Sequence, residues 1–139
     1  MNSRFACLAI AALTLGACTS QPARDPQPIS DADLASDVWK VETLNGNTVD
    51  NATLTLHFHA PDKVSGKAAC NGYMASYHRD GGQFHIQVGG VTMMACPTPL
   101  MELEKQFLDT LSDIDQAVLD KDGRLILTGK EGLRVQATR

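Results

Sequence analysis

The side chains able to do chemistry are few: four cysteines, four histidines and a scatter of carboxylates in 139 residues. His57 and His59 lie two apart in Thr53-Leu54-Thr55-Leu56-His57-Phe58-His59, so on a strand they project from one face. His85 falls in another strand-like run, and three converging imidazoles would hold zinc or copper. Leu54, Leu56 and Phe58 set the apolar parity at even positions, however, so His57 and His59 are expected to be outward polar residues, with the metal site as the alternative. A nucleophilic enzyme finds no support in a Gly-x-Ser-x-Gly elbow. Ser65 before Gly66 and Ser76 before Tyr77 read as turn and strand residues. Glu102 and Glu104, two apart on a helix, do not share a face and are expected to be solvated first-turn residues. No catalytic residue and no cofactor is expected, and a hydrolase is the second alternative.

The cysteines sort by position. Met1 to Arg4 carries one positive charge and Phe5 to Leu15 is free of charge, the layout of a secretory signal. The run is short of the about 20 apolar residues that a membrane-spanning helix needs. Leu15-Gly16-Ala17-Cys18 resembles the bacterial lipobox, which implies that Cys18 is acylated and becomes the N-terminus when residues 1–17 are removed. Two acyl chains anchor stably where one is marginal. Thr19 follows where an aspartate would favour the inner membrane, so the resemblance implies an outer-membrane anchor with the domain facing the periplasm. Cys7 leaves with the signal, and Cys70 and Cys96 remain in an oxidising compartment. A disulfide is the default for such a pair, and the wide spacing lacks the C-x-x-C of redox and zinc sites.

Elements must position these groups. Residues 18–35, with Pro22, Pro26 and Pro28, read as a lipidated cysteine and flexible tether, and 36–139 as one domain. Without Arg4, eleven Lys and Arg stand against sixteen Asp and Glu. That acidic balance, with its cations scattered singly, excludes a nucleic-acid partner. Strand-like runs span 38–44, 52–58, 63–68, 73–78 and 84–88, punctuated by Asn45-Gly46, Pro61-Asp62 and Asp80-Gly81-Gly82. From Leu100 the apolar spacing (Leu103, Phe107, Leu108, Leu111, Ile114) becomes helical, with Thr98 as N-cap and Pro99 at the first position. Period two returns at 117–119, 125–128 and 133–136. The expected fold is α+β and mostly β: a small antiparallel curved or barrel-like sheet with one amphipathic helix inserted late.

Several of these motifs occur together in one family. Val64-Ser65-Gly66, Cys70-Asn71-Gly72-Tyr73, Tyr77, Thr92-Met93-Met94-Ala95-Cys96 and Glu102, Glu104, Phe107, Leu108 resemble the META domain family, that of HslJ-like bacterial heat-shock lipoproteins. Trp39, Leu44-Asn45-Gly46 and Asp122-Gly123-x-Leu125-x-Leu127 extend the resemblance over about residues 36–138. The motif residues are Gly66, Cys70, Asn71, Tyr73, Thr92, Met94, Ala95 and Cys96. The resemblance implies a β-rich barrel-like domain without established enzymatic activity, linked to heat-shock expression and, in some bacteria, to novobiocin resistance. The partners it implies are the membrane, through the lipid anchor, and an unidentified envelope protein or small-molecule ligand.

Overall fold

The computed structural model describes residues 27–59 and 61–139; the signal, Cys18 and most of the tether lie outside them. Ten strands and two helices follow in order: β1 (Gln27–Pro28), α1 (Asp31–Leu34), β2 (Val38–Leu44), β3 (Asn47–Thr48), β4 (Thr55–His59), β5 (Lys63–Ala68), β6 (Asn71–Asp80), β7 (Gln83–Val91), α2 (Thr98–Ser112), β8 (Ile114–Leu119), β9 (Leu125–Gly129) and β10 (Arg134–Thr138). The paired strands are antiparallel, in the spatial order β1-β8-β9-β10-β2-β4-β5-β6-β7, with β3 folded back on β2. The sheet curls until β7 comes alongside β8, so the barrel is nearly closed, and α2 fills the opening.

Alternation explains which side faces in. Trp39 and Val41 of β2, Leu56 and Phe58 of β4, Tyr73, Ala75 and Tyr77 of β6, and Phe84 and Ile86 of β7 are all buried, and Leu44 of β2 joins them at the other parity because the β2–β10 register shifts between Val41 and Thr43. The period-two pattern therefore encodes both strand and face. His57 and His59, at the odd positions of β4, stand outside as expected. The Asn45-Gly46 turn works because both residues adopt positive φ, 50° and 84°, the conformation that a tight hairpin with the right twist requires.

Three expectations are corrected. The tether was expected to run to residue 35, but 27–35 belong to the folded unit. Ser30 caps α1 by accepting from the Asp33 amide, and the flanking Ile29 and Leu34 are both fully buried, forming a hydrophobic staple across the cap. The Leu34 carbonyl accepts from Trp39 Nε1 at 3.0 Å, and Arg79 donates to the Ile29 carbonyl while pairing with Asp31 at 3.1 Å. From the other end of the chain, Arg139 lies over the Trp39 ring and donates to Ser36 Oγ. Second, α2 begins at Thr98, with Pro97 in the cap position and no side-chain cap. Third, Ile114 opens β8 instead of closing the helix, because Asp113 leaves helical geometry and Ile114 pairs with Gly129.

The buried staple makes the segment before Asp37 part of the core. Leu34→Ala is expected to lower stability by about 2–5 kcal/mol, read as a shift in urea midpoint. Lys105→Ala, which breaks an exposed helical ion pair with Asp109, is expected to cost under about 0.5 kcal/mol.

Candidate functional site

The motif residues converge at one end of the barrel. The β5–β6 hairpin turns through Ala69 and Cys70, with Ala69 held in the left-handed region at φ 64°. That conformation is costly for a residue with a Cβ and persists only where its surroundings over-determine it. Here the Ala69 amide donates to the Thr53 carbonyl, Lys67 Nζ donates to the Cys70 carbonyl at 2.7 Å, and Cys70 is bonded to Cys96, Cα to Cα 6.0 Å. The disulfide ties this turn to the segment 92–97 that leads into α2.

Next to it, Asn71 is 1% exposed and uses both ends of its amide. Its Oδ1 accepts from the Met94 amide at 2.7 Å and from Thr92 Oγ1 at 3.0 Å. Its Nδ2 donates to Glu104 Oε1 at 2.9 Å and to the Met94 carbonyl at 3.3 Å. The Asn71 backbone amide donates to Glu104 Oε2 at 2.6 Å. Glu104 is therefore corrected from a solvated first-turn residue to a buried one, 6% exposed, whose carboxylate bridges helix and hairpin. It lies on the inner face of α2 with Phe107 and Leu111, at i, i+3 and i+7. Glu102 remains exposed. The motif spacing is thus explained by a clasp: one asparagine, one glutamate and one disulfide fasten the loop, the hairpin and the helix together.

Gly66 and Tyr73 form the second part. A Cβ on Gly66 would lie 2.0 Å from the Thr55 carbonyl oxygen, so β4 and β5 approach too closely there for any side chain. Tyr73 is the cross-strand partner of Gly66, and its hydroxyl donates to that same Thr55 carbonyl at 2.8 Å. The ring covers the bare glycine and meets Phe107 edge to face at 5.8 Å. Burial pushes the Tyr73 phenol up, so it stays a neutral donor.

On the outer surface above this clasp lies a shallow groove of about 530 Å³, lined by Ser65, Gly66, Gly72, Tyr73, Met74, Gly90, Val91 and Thr92. Gly72 and Gly90 leave the outer face without side chains, and Met74, 68% exposed, forms its wall. A second depression of about 340 Å³ shares Met74 and Gly90. Met93 and Met94 are exposed on the loop the clasp holds. Of the groove residues Gly66, Tyr73 and Thr92 were legible as motif positions; Gly90 and Met74 were not.

The alternative, a metal triad of His57, His59 and His85, does not assemble. His57 and His59 are neighbours, ring centroids 4.0 Å apart, but His85 lies on β7, separated from β4 by β5 and β6. His85 instead faces His78. Among the described residues no three His, Cys, Asp or Glu side chains are placed to hold a metal ion. Among the described residues the one acid with a lowered pKa is elsewhere: at Asp120, desolvation acts upward, but hydrogen bonds from the Arg124 amide and guanidinium and from the Asp122 amide outweigh it. That arrangement shapes the β8–β9 turn.

A nearly closed, disulfide-clasped antiparallel barrel with its helix in the mouth and an apolar groove on its wall defines a small β-barrel module. The family model for the META domain matches residues 32–139, and the chain belongs to the META domain family. Two solved structures share the fold. An NMR structure of a protein from Burkholderia xenovorans is 24% identical, with a TM-score of 0.63, covering 87% of this chain and 95% of its own. A second NMR structure is 22% identical, with a TM-score of 0.60, covering 79% of this chain and 94% of its own. No curated protein matches the chain.

Two substitutions test the clasp. Asn71→Ala leaves the Glu104 carboxylate and the Met94 amide short of partners and is expected to cost about 2–4 kcal/mol, measured by denaturant unfolding with the disulfide intact. Gly66→Ala is expected to be worse, preventing soluble accumulation or lowering the melting temperature by more than 10 °C, on the order of what a backbone clash implies.

Proposed function

We propose that this protein is a lipid-anchored envelope module without catalytic activity, held through Cys18 at the outer membrane and facing the periplasm, which binds an envelope protein or apolar small molecule through the Met74–Gly90 groove. The observation that carries the reading is that the motif residues build and brace a groove wall instead of an array of reactive groups. The disulfide removes both thiols from nucleophilic chemistry, Asn71 and Glu104 are turned inward onto each other, and the groove is walled mainly by glycines, Tyr73, Met74 and Val91, with Ser65 and Thr92 as its hydroxyl groups. Pockets of this size with apolar walls and few polar groups suit recognition. The N-terminal pattern supports the anchor, and the family resemblance supports a part in tolerance of heat or of novobiocin.

Gly90 offers a clean test, because a Cβ there meets nothing within 4 Å. Gly90→Val should fill the groove while preserving the fold. A deletion strain is expected to survive heat or novobiocin less well than its parent, to be restored by the wild-type protein, and not to be restored by Gly90→Val at equal abundance. A deletion strain indistinguishable from its parent would remove the stress role, and full rescue by Gly90→Val would remove the groove. Intact mass of protein taken from membranes is expected to show an acylated N-terminal Cys18; an unlipidated N-terminus would overturn the anchor.

A further inference from the structure

His78, outside the β4 pair, meets His85 in a different arrangement. His78 and His85 are directly opposite each other on the β6–β7 hairpin, ring centroids 5.1 Å apart and planes inclined by 35°. His78 is exposed and His85 half-buried, both on the outer face of the sheet. The pair sits two residues from the tight Gly81-Gly82 turn, whose positive φ values of 54° and 88° fix the hairpin register. Asp80 and Gln83 form the last rung before the turn. Asp80 shares the outer face with His78, and Arg79, on the opposite face, is engaged by Asp31 and the Ile29 carbonyl.

We propose that His78 and His85 together bind a divalent late-transition-metal ion, copper(II) in preference to zinc, in an exchangeable two-imidazole site. Two imidazoles bound to one ion at about 2.0–2.1 Å, in mutually adjacent coordination positions, place their ring centroids roughly 4.5–5.2 Å apart. The observed separation falls in that range without movement of the backbone. The contrasting pair on β4 does not meet it: the His57 and His59 rings are 4.0 Å apart, and His59 Nε2 is already engaged by Ser65 Oγ at 3.0 Å. At His85 the ring nitrogen has only a long contact, 3.3 Å, to exposed Gln83 Oε1. Imidazole nitrogen favours copper(II) over zinc in the usual order of divalent affinities. Two protein ligands leave the remaining positions to water, so the ion is held reversibly and can be passed on. This site is independent of the groove and of the clasp, about which it makes no assumption.

The test is titration of copper(II) into the full chain produced without a histidine tag, followed by calorimetry and electron paramagnetic resonance, for the wild type and for His78→Gln, His85→Gln and the double variant His57→Gln/His59→Gln. The expected result is one copper per chain with a dissociation constant on the order of micromolar and hyperfine coupling to two nitrogens. Each of His78→Gln and His85→Gln should weaken binding at least about tenfold and remove one nitrogen, while the β4 double variant leaves both readouts unchanged. These are exposed or half-exposed positions, and unchanged circular dichroism and melting temperature verify the fold. Binding that survives both β6–β7 substitutions, or that follows His57 and His59 instead, overturns the proposal.

Discussion

A carboxylate taken out of water must be met by donors, and the burial of Glu104 organises this protein's motif-bearing end. The donors are the Asn71 amide nitrogen and side chain, at 2.6 and 2.9 Å, with no cation in the pair. An uncompensated buried charge would be costly, whereas two charge-assisted hydrogen bonds from a rigid hairpin offset most of the desolvation. Once Asn71 is fixed by this task, its Oδ1 has one remaining direction, toward Thr92 and Met94, and the loop before α2 must lie where those groups can reach it. The disulfide closes the same loop at Cys96. Helix, loop and hairpin therefore share one constraint, and the strained φ of Ala69 is a consequence of how tightly it is applied.

Much of the fold was legible because it is encoded by local periodicity. The strands Val38–Leu44 and Lys63–Ala68 have the limits their alternation suggests, and the helix follows the spacing of Leu103, Phe107 and Leu111. What escaped was encoded by polar residues acting against type. Glu104 reads as solvated by chemistry, yet its spacing from Phe107 and Leu111 places it on the apolar face, and position governs. The folded stretch Gln27–Leu34 was masked by its proline content and short length. Its signal lay in the Ser30-x-x-Asp33 cap flanked by Ile29 and Leu34, a pattern too brief to form a helix without tertiary packing.

The candidate site divides in the same way. Motif positions pointed to the correct end of the barrel, since Gly66, Cys70, Asn71, Tyr73, Thr92 and Cys96 gather there. Their individual tasks could not be read in advance, because each depends on contacts between residues 11 to 33 apart in sequence, from Gly66 with Thr55 to Asn71 with Glu104. The groove was less legible still. It exists where side chains are missing, at Gly72 and Gly90, and an empty space on a sheet surface emerges only when strand registers are known. Histidine pairing follows the same rule: His78 and His85 meet because the hairpin turn sets them opposite, while His85 and the β4 histidines are kept apart by two intervening strands.

The entry of the chain into the barrel also sets how it bears load. A pull arriving through the residues before Gln27 acts first on β1, which holds β8 by only two rungs, Gln27 with Leu119 and Pro28 with Val118. Behind that short ladder stand the buried Ile29 and Leu34 and the grip of Arg79 on the Ile29 carbonyl and Asp31. Force would peel this end away in stages, loading β8 first through β1 and β6 next through Arg79, and the Trp39 indole would lose its hydrogen-bond acceptor once Leu34 withdraws. The N-terminal segment is in this sense a mechanical fuse, yielding ahead of the disulfide-braced end on which the motif residues converge.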